Sequence, residues 1–86
     1  MKMYDAKKVR RLITSDCGTI RKITLGMSGD FGCTTEEVYR NGRLLVPLDG
    51  DTVTIGDHEG SEWATPTMVI EYYDDRTVYE PCFFVA

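Results

Sequence analysis

One histidine and three cysteines are the residues of this 86-residue chain best suited to acid–base, nucleophilic or metal chemistry. His58 sits in Asp57-His58-Glu59-Gly60-Ser61, and Cys17, Cys33 and Cys82 lie far apart along the chain. A Cys–His pair can act as nucleophile and base where the fold joins the two. All four together would make a Cys3His zinc set. Structural zinc sites, however, draw their ligands in close pairs such as C-x2-C, and no such pair occurs here. A loop histidine between two carboxylates, and thiols packed as small apolar groups, is the simpler reading. The expectation is a chain with no catalytic residue, no bound metal and no cofactor.

Gly26, Gly29 and Gly32 recur at every third position. A phosphate cradle needs a helix N-terminus behind such a loop and, in the P-loop case, a Lys-Ser/Thr pair. That pair is missing, so the segment reads as a turn-rich loop. Asp30-Phe31-Gly32 spells a kinase triplet, but the chain is far too short for a kinase.

Charge is the stronger signal. Residues 1–22 carry seven cations against two carboxylates, a balance of +5, while residues 23–86 carry three against twelve, a balance of −9. The net charge is −4. Either the fold presents two faces of opposite sign to partners, or it brings the regions together and they neutralise one another. Lys7, Lys8, Arg10 and Arg11 could lie along a phosphate backbone. An acidic remainder opposes that, and a solvated outer helix face explains the same residues. In the second half Glu62, Glu71, Asp74 and Asp75 interleave with Trp63, Tyr73 and other aromatics. Aromatic anchors with acidic guides suit a basic protein surface.

These side chains need elements to hold them. Apolar Ala6, Val9, Leu12 and Ile13 predict a helix over 5–15, with Asp5 as N-cap. Alternation predicts a strand over 19–27. Asn41-Gly42 between apolar flanks predicts a hairpin with Arg40 opposite Arg43, Tyr39 opposite Leu44 and Val38 opposite Leu45. The Arg40/Arg43 pair needs an anion, for which Glu36 or a partner's carboxylate is available. A competing reading treats Thr34-Thr35-Glu36-Glu37 as a capping box opening a short helix over 35–41. Asp49-Gly50 marks a turn before a strand over 51–55, and a polar loop follows over 56–66. A last hairpin runs over 67–73 and 77–85, turning at Asp74-Asp75. Pro81 confines its second strand to an edge or a bulge. Alternation cannot bury both Tyr72 and Tyr73, so one of them faces away from the helix.

The expected fold is α+β: one domain, 1–86, with an N-terminal amphipathic helix on a mostly antiparallel, hairpin-rich sheet of five or six strands. One helix covers one face of such a sheet. Residues 41–55, with Asn41-Gly42, Val46-Pro47 and Asp49-Gly50-Asp51, resemble the late strands of ubiquitin-like (β-grasp) sulfur carriers. Such carriers need a C-terminal Gly-Gly, whereas this sequence closes on Phe84-Val85-Ala86, so carrier activity is not expected. No apolar run reaches membrane-spanning length, and no signal-peptide h-region follows the basic start, which makes the cytoplasm the expected compartment. The functional expectation is a non-enzymatic protein-binding module, a small inhibitor or adaptor of the phage or mobile-element kind that includes anti-CRISPR-like proteins. It would mask a basic partner surface with Glu62, Trp63, Glu71, Tyr73, Asp74 and Asp75, joined by Arg40 and Arg43. The alternatives are nucleic-acid binding through Lys7, Lys8, Arg10 and Arg11, and homo-oligomerisation through the uncovered sheet face or the final edge strand.

Overall fold

The structure, a computed structural model, describes residues 3–16, 18–28, 35–55 and 65–84. A short strand β1 (Tyr4–Asp5) leads into helix α1 (Ala6–Asp16). Strands β2 (Ile20–Ser28), β3 (Glu36–Arg40), β4 (Arg43–Leu44), β5 (Thr52–Val53), β6 (Thr65–Tyr72) and β7 (Thr77–Pro81) follow. The main sheet has five strands in the order β4-β3-β2-β6-β7, every pair antiparallel, and β1 pairs with β5 in a second, two-stranded sheet. This is the expected α+β architecture, with one helix on a hairpin-rich antiparallel sheet.

Local chemistry sets the ends of α1. The Asp5 carboxylate accepts from the Lys8 backbone N–H at 3.2 Å, an N-cap satisfying one orphan donor of the first turn. At the other end the Thr19 N–H and hydroxyl both donate to the Asp16 carbonyl, at 2.9 and 3.0 Å. Ala6 and Val9 are buried, and Leu12 and Ile13 pack against the core.

The Asn41-Gly42 turn carries φ of 51° and 83°, the double left-handed geometry of a type I′ hairpin. Arg40 pairs with Arg43 and Tyr39 with Leu44, and the Leu45 N–H donates to the Val38 carbonyl at 2.8 Å. Residues 36–40 are strand, which removes the capping-box helix. Several boundaries differ from the sequence expectation. β2 is displaced by one residue to Ile20–Ser28, β5 is two residues long, and β6 starts at Thr65 and stops at Tyr72, leaving Tyr73 in the turn. Asp75 adopts φ 67° there.

Across the sheet the inner face reads Tyr39, Ile23, Ile70 and Val78 from β3 to β7, with Leu25 and Met68 in the next row. Ile20, Ile23, Leu25, Met68 and Ile70 are fully buried. A register shift between Ile23 and Thr24 leaves Val38 as an extra residue on β3. A bulge of this kind lets two successive side chains face one way, and both Val38 and Tyr39 are buried. β7 is an edge strand in unbroken register with β6, so Pro81 sits at an edge and no bulge is needed. Past it, Phe83 bridges to Tyr4 and joins the two sheets.

Gly26 is pressed against Thr35: a Cβ built on it would lie 2.7 Å from the Thr35 Cγ2 methyl. Gly26→Ala should therefore lower unfolding stability by about 1–3 kcal/mol through overpacking. Adding Thr35→Ser, which removes the methyl, should recover most of the loss in urea titrations.

Candidate functional site

The outer face of the sheet, opposite α1, gathers most of the described candidate residues. Cross-strand partners share a face, so the register orders them in rows. The first row runs Arg43, Arg40, Lys22, Glu71, Thr77 from β4 to β7; the second runs Glu37, Thr24, Val69, Tyr79. The face is thus charged toward β3 and aromatic toward β7.

The charged end is a connected network. Lys22 Nζ lies 2.9 Å from Glu71 Oε2 and 3.5 Å from Glu37 Oε1. Arg21 reaches Glu71 at 3.6 Å and Asp75 at 3.2 Å. The Arg40 guanidinium donates to Glu37. The Tyr73 hydroxyl donates to Asn41 Oδ1 at 3.2 Å, which ties the two hairpin tips together. The anion beside Arg40 is therefore Glu37, where strict alternation from Arg40 points to Glu36. The Val38 bulge changes the parity of β3 and puts Glu37, not Glu36, on the face of Arg40. The hydrogen bond from Lys22 holds the Glu71 carboxyl below the usual carboxylate range, and the same bond raises the Lys22 ammonium.

Beyond this network the outer side turns aromatic. Tyr72 points inward and is 8% exposed, whereas Tyr73 is 53% exposed, as alternation requires. Tyr79 is 70% exposed on the edge strand and Phe83 49%. At the turn, Asp74 Oδ1 accepts from the Arg76 N–H at 3.1 Å, and the Asp75 side chain stays 88% exposed despite its ion pair. The Arg76 guanidinium stacks 4.1 Å over the Tyr72 ring. Of the partner-binding set, Glu71, Tyr73, Asp75 and Arg40 belong to one patch, with Asp74 at its rim. Arg43 stands beside Arg40 in the first row. Glu62 and Trp63 lie outside the described residues. Tyr79 belongs with the patch and was missing from that set. Its odd-numbered parity with Pro81, on a strand that Pro81 marks as an edge, was the available signal.

The basic helix is largely engaged by the fold itself. Lys7 pairs with Asp51 at 3.1 Å. Lys8 donates to the Pro81 carbonyl at 2.5 Å and lies 4.0 Å from Glu80. Arg10 donates to the carbonyls of Leu48 and, at 2.6 Å, Gly50. The Arg11 side chain is exposed and forms no ion pair or hydrogen bond with the described residues, its carbonyl accepting from the Ser15 hydroxyl at 3.0 Å. Of the two readings of the charge asymmetry, the fold follows the second, in which the regions come together and neutralise one another. N-terminal cations are interleaved with later carboxylates because β2 lies between β3 and β6, and because α1 packs beside Asp51 and Glu80.

Cys82 is buried, its thiol pushed up by that burial, and Sγ donates to the Asp5 carbonyl at 3.5 Å. Cys17, Cys33 and His58 lie outside the described residues. Among the described residues no three metal-ligating side chains converge, and no helix is long and apolar enough to cross a membrane.

Arg10 holds the 48–50 segment by two carbonyls, so Arg10→Ala should cost about 2 kcal/mol of stability, read from urea unfolding. The Lys22–Glu71 pair sets a pH dependence. Glu71 is lowered in the fold, so its contribution is present above its ordinary 4.5 and lost as pH falls through the lower folded value. Lys22 is raised, so its contribution is full below 10.5 and lost as pH rises through the higher folded value. Glu71→Gln should lower the urea midpoint at neutral pH, and the two proteins should converge once acid has protonated Glu71. Compared with known proteins, the chain matches no family model, no curated protein and no solved structure.

Proposed function

We propose that this chain is a non-enzymatic protein-binding module, an adaptor or inhibitor, which docks on a partner with a basic surface through the outer side of the β6–β7 hairpin. The observation that carries this reading is Tyr79, a large aromatic side chain 70% exposed on an edge strand. Tyr73 shares its face, and the carboxylates of Asp74 and Asp75 stand at the adjoining turn. Exposed aromatics clustered beside charge are the usual composition of a protein-binding hot spot, where the ring supplies affinity and the charge guides approach. The neutralised network of Arg21, Lys22, Glu37 and Glu71 has a different part in this reading. It braces the sheet so that Tyr73 and Tyr79 are held on a rigid surface, which lowers the ordering cost of docking.

Affinity purification from cell extract, followed by calorimetry on the purified pair, tests the proposal. Tyr79→Ala should weaken binding by about 10- to 100-fold, the range of hot-spot truncations. Asp74→Lys with Asp75→Lys should slow association and flatten its salt dependence. Arg11→Glu, on the opposite side of the molecule, should leave affinity unchanged. Binding that ignores Tyr79 and both aspartates, or recovery of nucleic acid alone, would overturn the proposal.

A further inference from the structure

The register of the β6–β7 hairpin determines which backbone groups of β7 are committed. Tyr72 donates to the Arg76 carbonyl at 2.9 Å, and Cys82 donates to the Pro66 carbonyl at 2.8 Å. Between these two rungs the pairing runs without a shift. Hydrogen-bonded pairs alternate along an antiparallel ladder. Even-numbered residues of β7 therefore bond to β6, and Thr77, Tyr79 and Pro81 turn their backbone groups outward. Lys8 confirms the direction, since its ammonium reaches the Pro81 carbonyl from that side. Pro81 has no N–H, and beyond it the Cys82 carbonyl accepts from Asp5 at 2.8 Å. One end of the edge is thus closed by β1. The other keeps the N–H and C=O of Thr77 and Tyr79 unbonded by any described residue.

We infer that β7 is a receptor edge for β-strand addition: an extended basic segment of a partner protein pairs antiparallel with Thr77 and Tyr79. This rests on the protein-binding reading and names its mode. Main-chain bonds supply register, and alternate side chains meet the two faces of the edge. On the outer face they meet Tyr79 and, opposite Thr77, Glu71. On the inner face they meet Val78 and Glu80. Asp74 and Asp75 stand at the turn just before the open stretch. The two cations nearby are turned onto the fold, Arg76 onto the Tyr72 ring and Lys8 onto Pro81 and Glu80. Asp74 has no ion pair among the described residues, and the Asp75 side chain stays 88% exposed beside the open stretch, which favours lysine- or arginine-bearing strands. A second copy of this chain is disfavoured because each copy brings a net charge of −4 and the same pair of aspartates.

Synthetic peptides test the inference directly. The probes are an eight-residue peptide of alternating Lys and Val, its alternating Glu and Val counterpart, and the Lys–Val peptide N-methylated at every backbone nitrogen. Binding is followed by amide NMR and hydrogen exchange. The Lys–Val peptide should bind and protect the amides of Thr77 and Tyr79. The acidic and N-methylated peptides should each bind at least about tenfold more weakly. Thr77→Pro, which removes one outward N–H at a strand position that tolerates proline, should weaken Lys–Val binding by a similar factor. Equal binding of the N-methylated peptide would overturn strand addition while leaving the acidic, aromatic docking surface intact. So would shifts confined to β3 and β4. Protection of Thr77 and Tyr79 that grows with protein concentration in the absence of peptide would overturn it in favour of a second copy. Failure of every peptide alongside a partner that still depends on Tyr79 overturns the mode only; failure of both overturns the underlying reading as well.

Discussion

β2 is the middle strand of the sheet, and its burial is the constraint on which the remaining structure depends. Ile20, Ile23 and Leu25 are fully enclosed on one side, which fixes the face that every neighbouring strand must present. Pairing β3 and β6 to its two edges gathers Tyr39, Met68 and Ile70 onto that same side. α1 covers it with Ala6 and Val9. Apolar burial is worth about 25 cal/mol per Å2, and a chain of this size has little surplus area. A slip of β2 by one residue would exchange Ile23 and Leu25 for Lys22 and Thr24, so the register is strongly determined.

The same alternation that fills the core dictates the composition of the outer face. Lys22 cannot avoid facing outward between Arg40 and Glu71, and the like charges are tolerated because Glu37 and Glu71 lie within reach. Exposed ion pairs contribute little individually. A network that spans three strands and both hairpin tips adds geometric definition at the end of the sheet. Toward β7 the charges give way to Val69 and Tyr79, and there the outer face has no described element above it. The carbonyls that end the open edge are claimed by side chains and backbone of the opposite terminus, Lys8 and Asp5. Edge protection is thus complete at Pro81, while among the described residues nothing pairs with the edge at Thr77 and Tyr79, a contrast natural sheets ordinarily avoid.

Elements with a local cause were legible in the sequence. Asn41-Gly42 specifies its turn because few residue pairs accept positive φ twice, and Asp5 caps α1 because a short carboxylate folds back onto its own helix. The opposite fates of Tyr72 and Tyr73 follow from the two-residue strand period. Pro81 announced an edge through the donor it lacks. The identity of the anion beside Arg40 was not legible, because the bulge at Val38 arises from fitting β3 against β2, and alternation along β3 alone points to Glu36. The pairing of N-terminal cations with distant carboxylates was equally hidden, since charge sums along a chain carry no information about which strands become neighbours.

The sequence by itself determined the helix and its cap, the two hairpins, the α+β class and the impossibility of burying every aromatic, all of which follow from torsional preference and side-chain periodicity over a few residues. Only the tertiary structure decided that β2 sits between β3 and β6, that Lys7, Lys8 and Arg10 are spent on the fold, and that the outward backbone groups of Thr77 and Tyr79 meet no described residue. Those outcomes depend on long-range strand order, set by competition among apolar faces for one small core, and no local pattern encodes it.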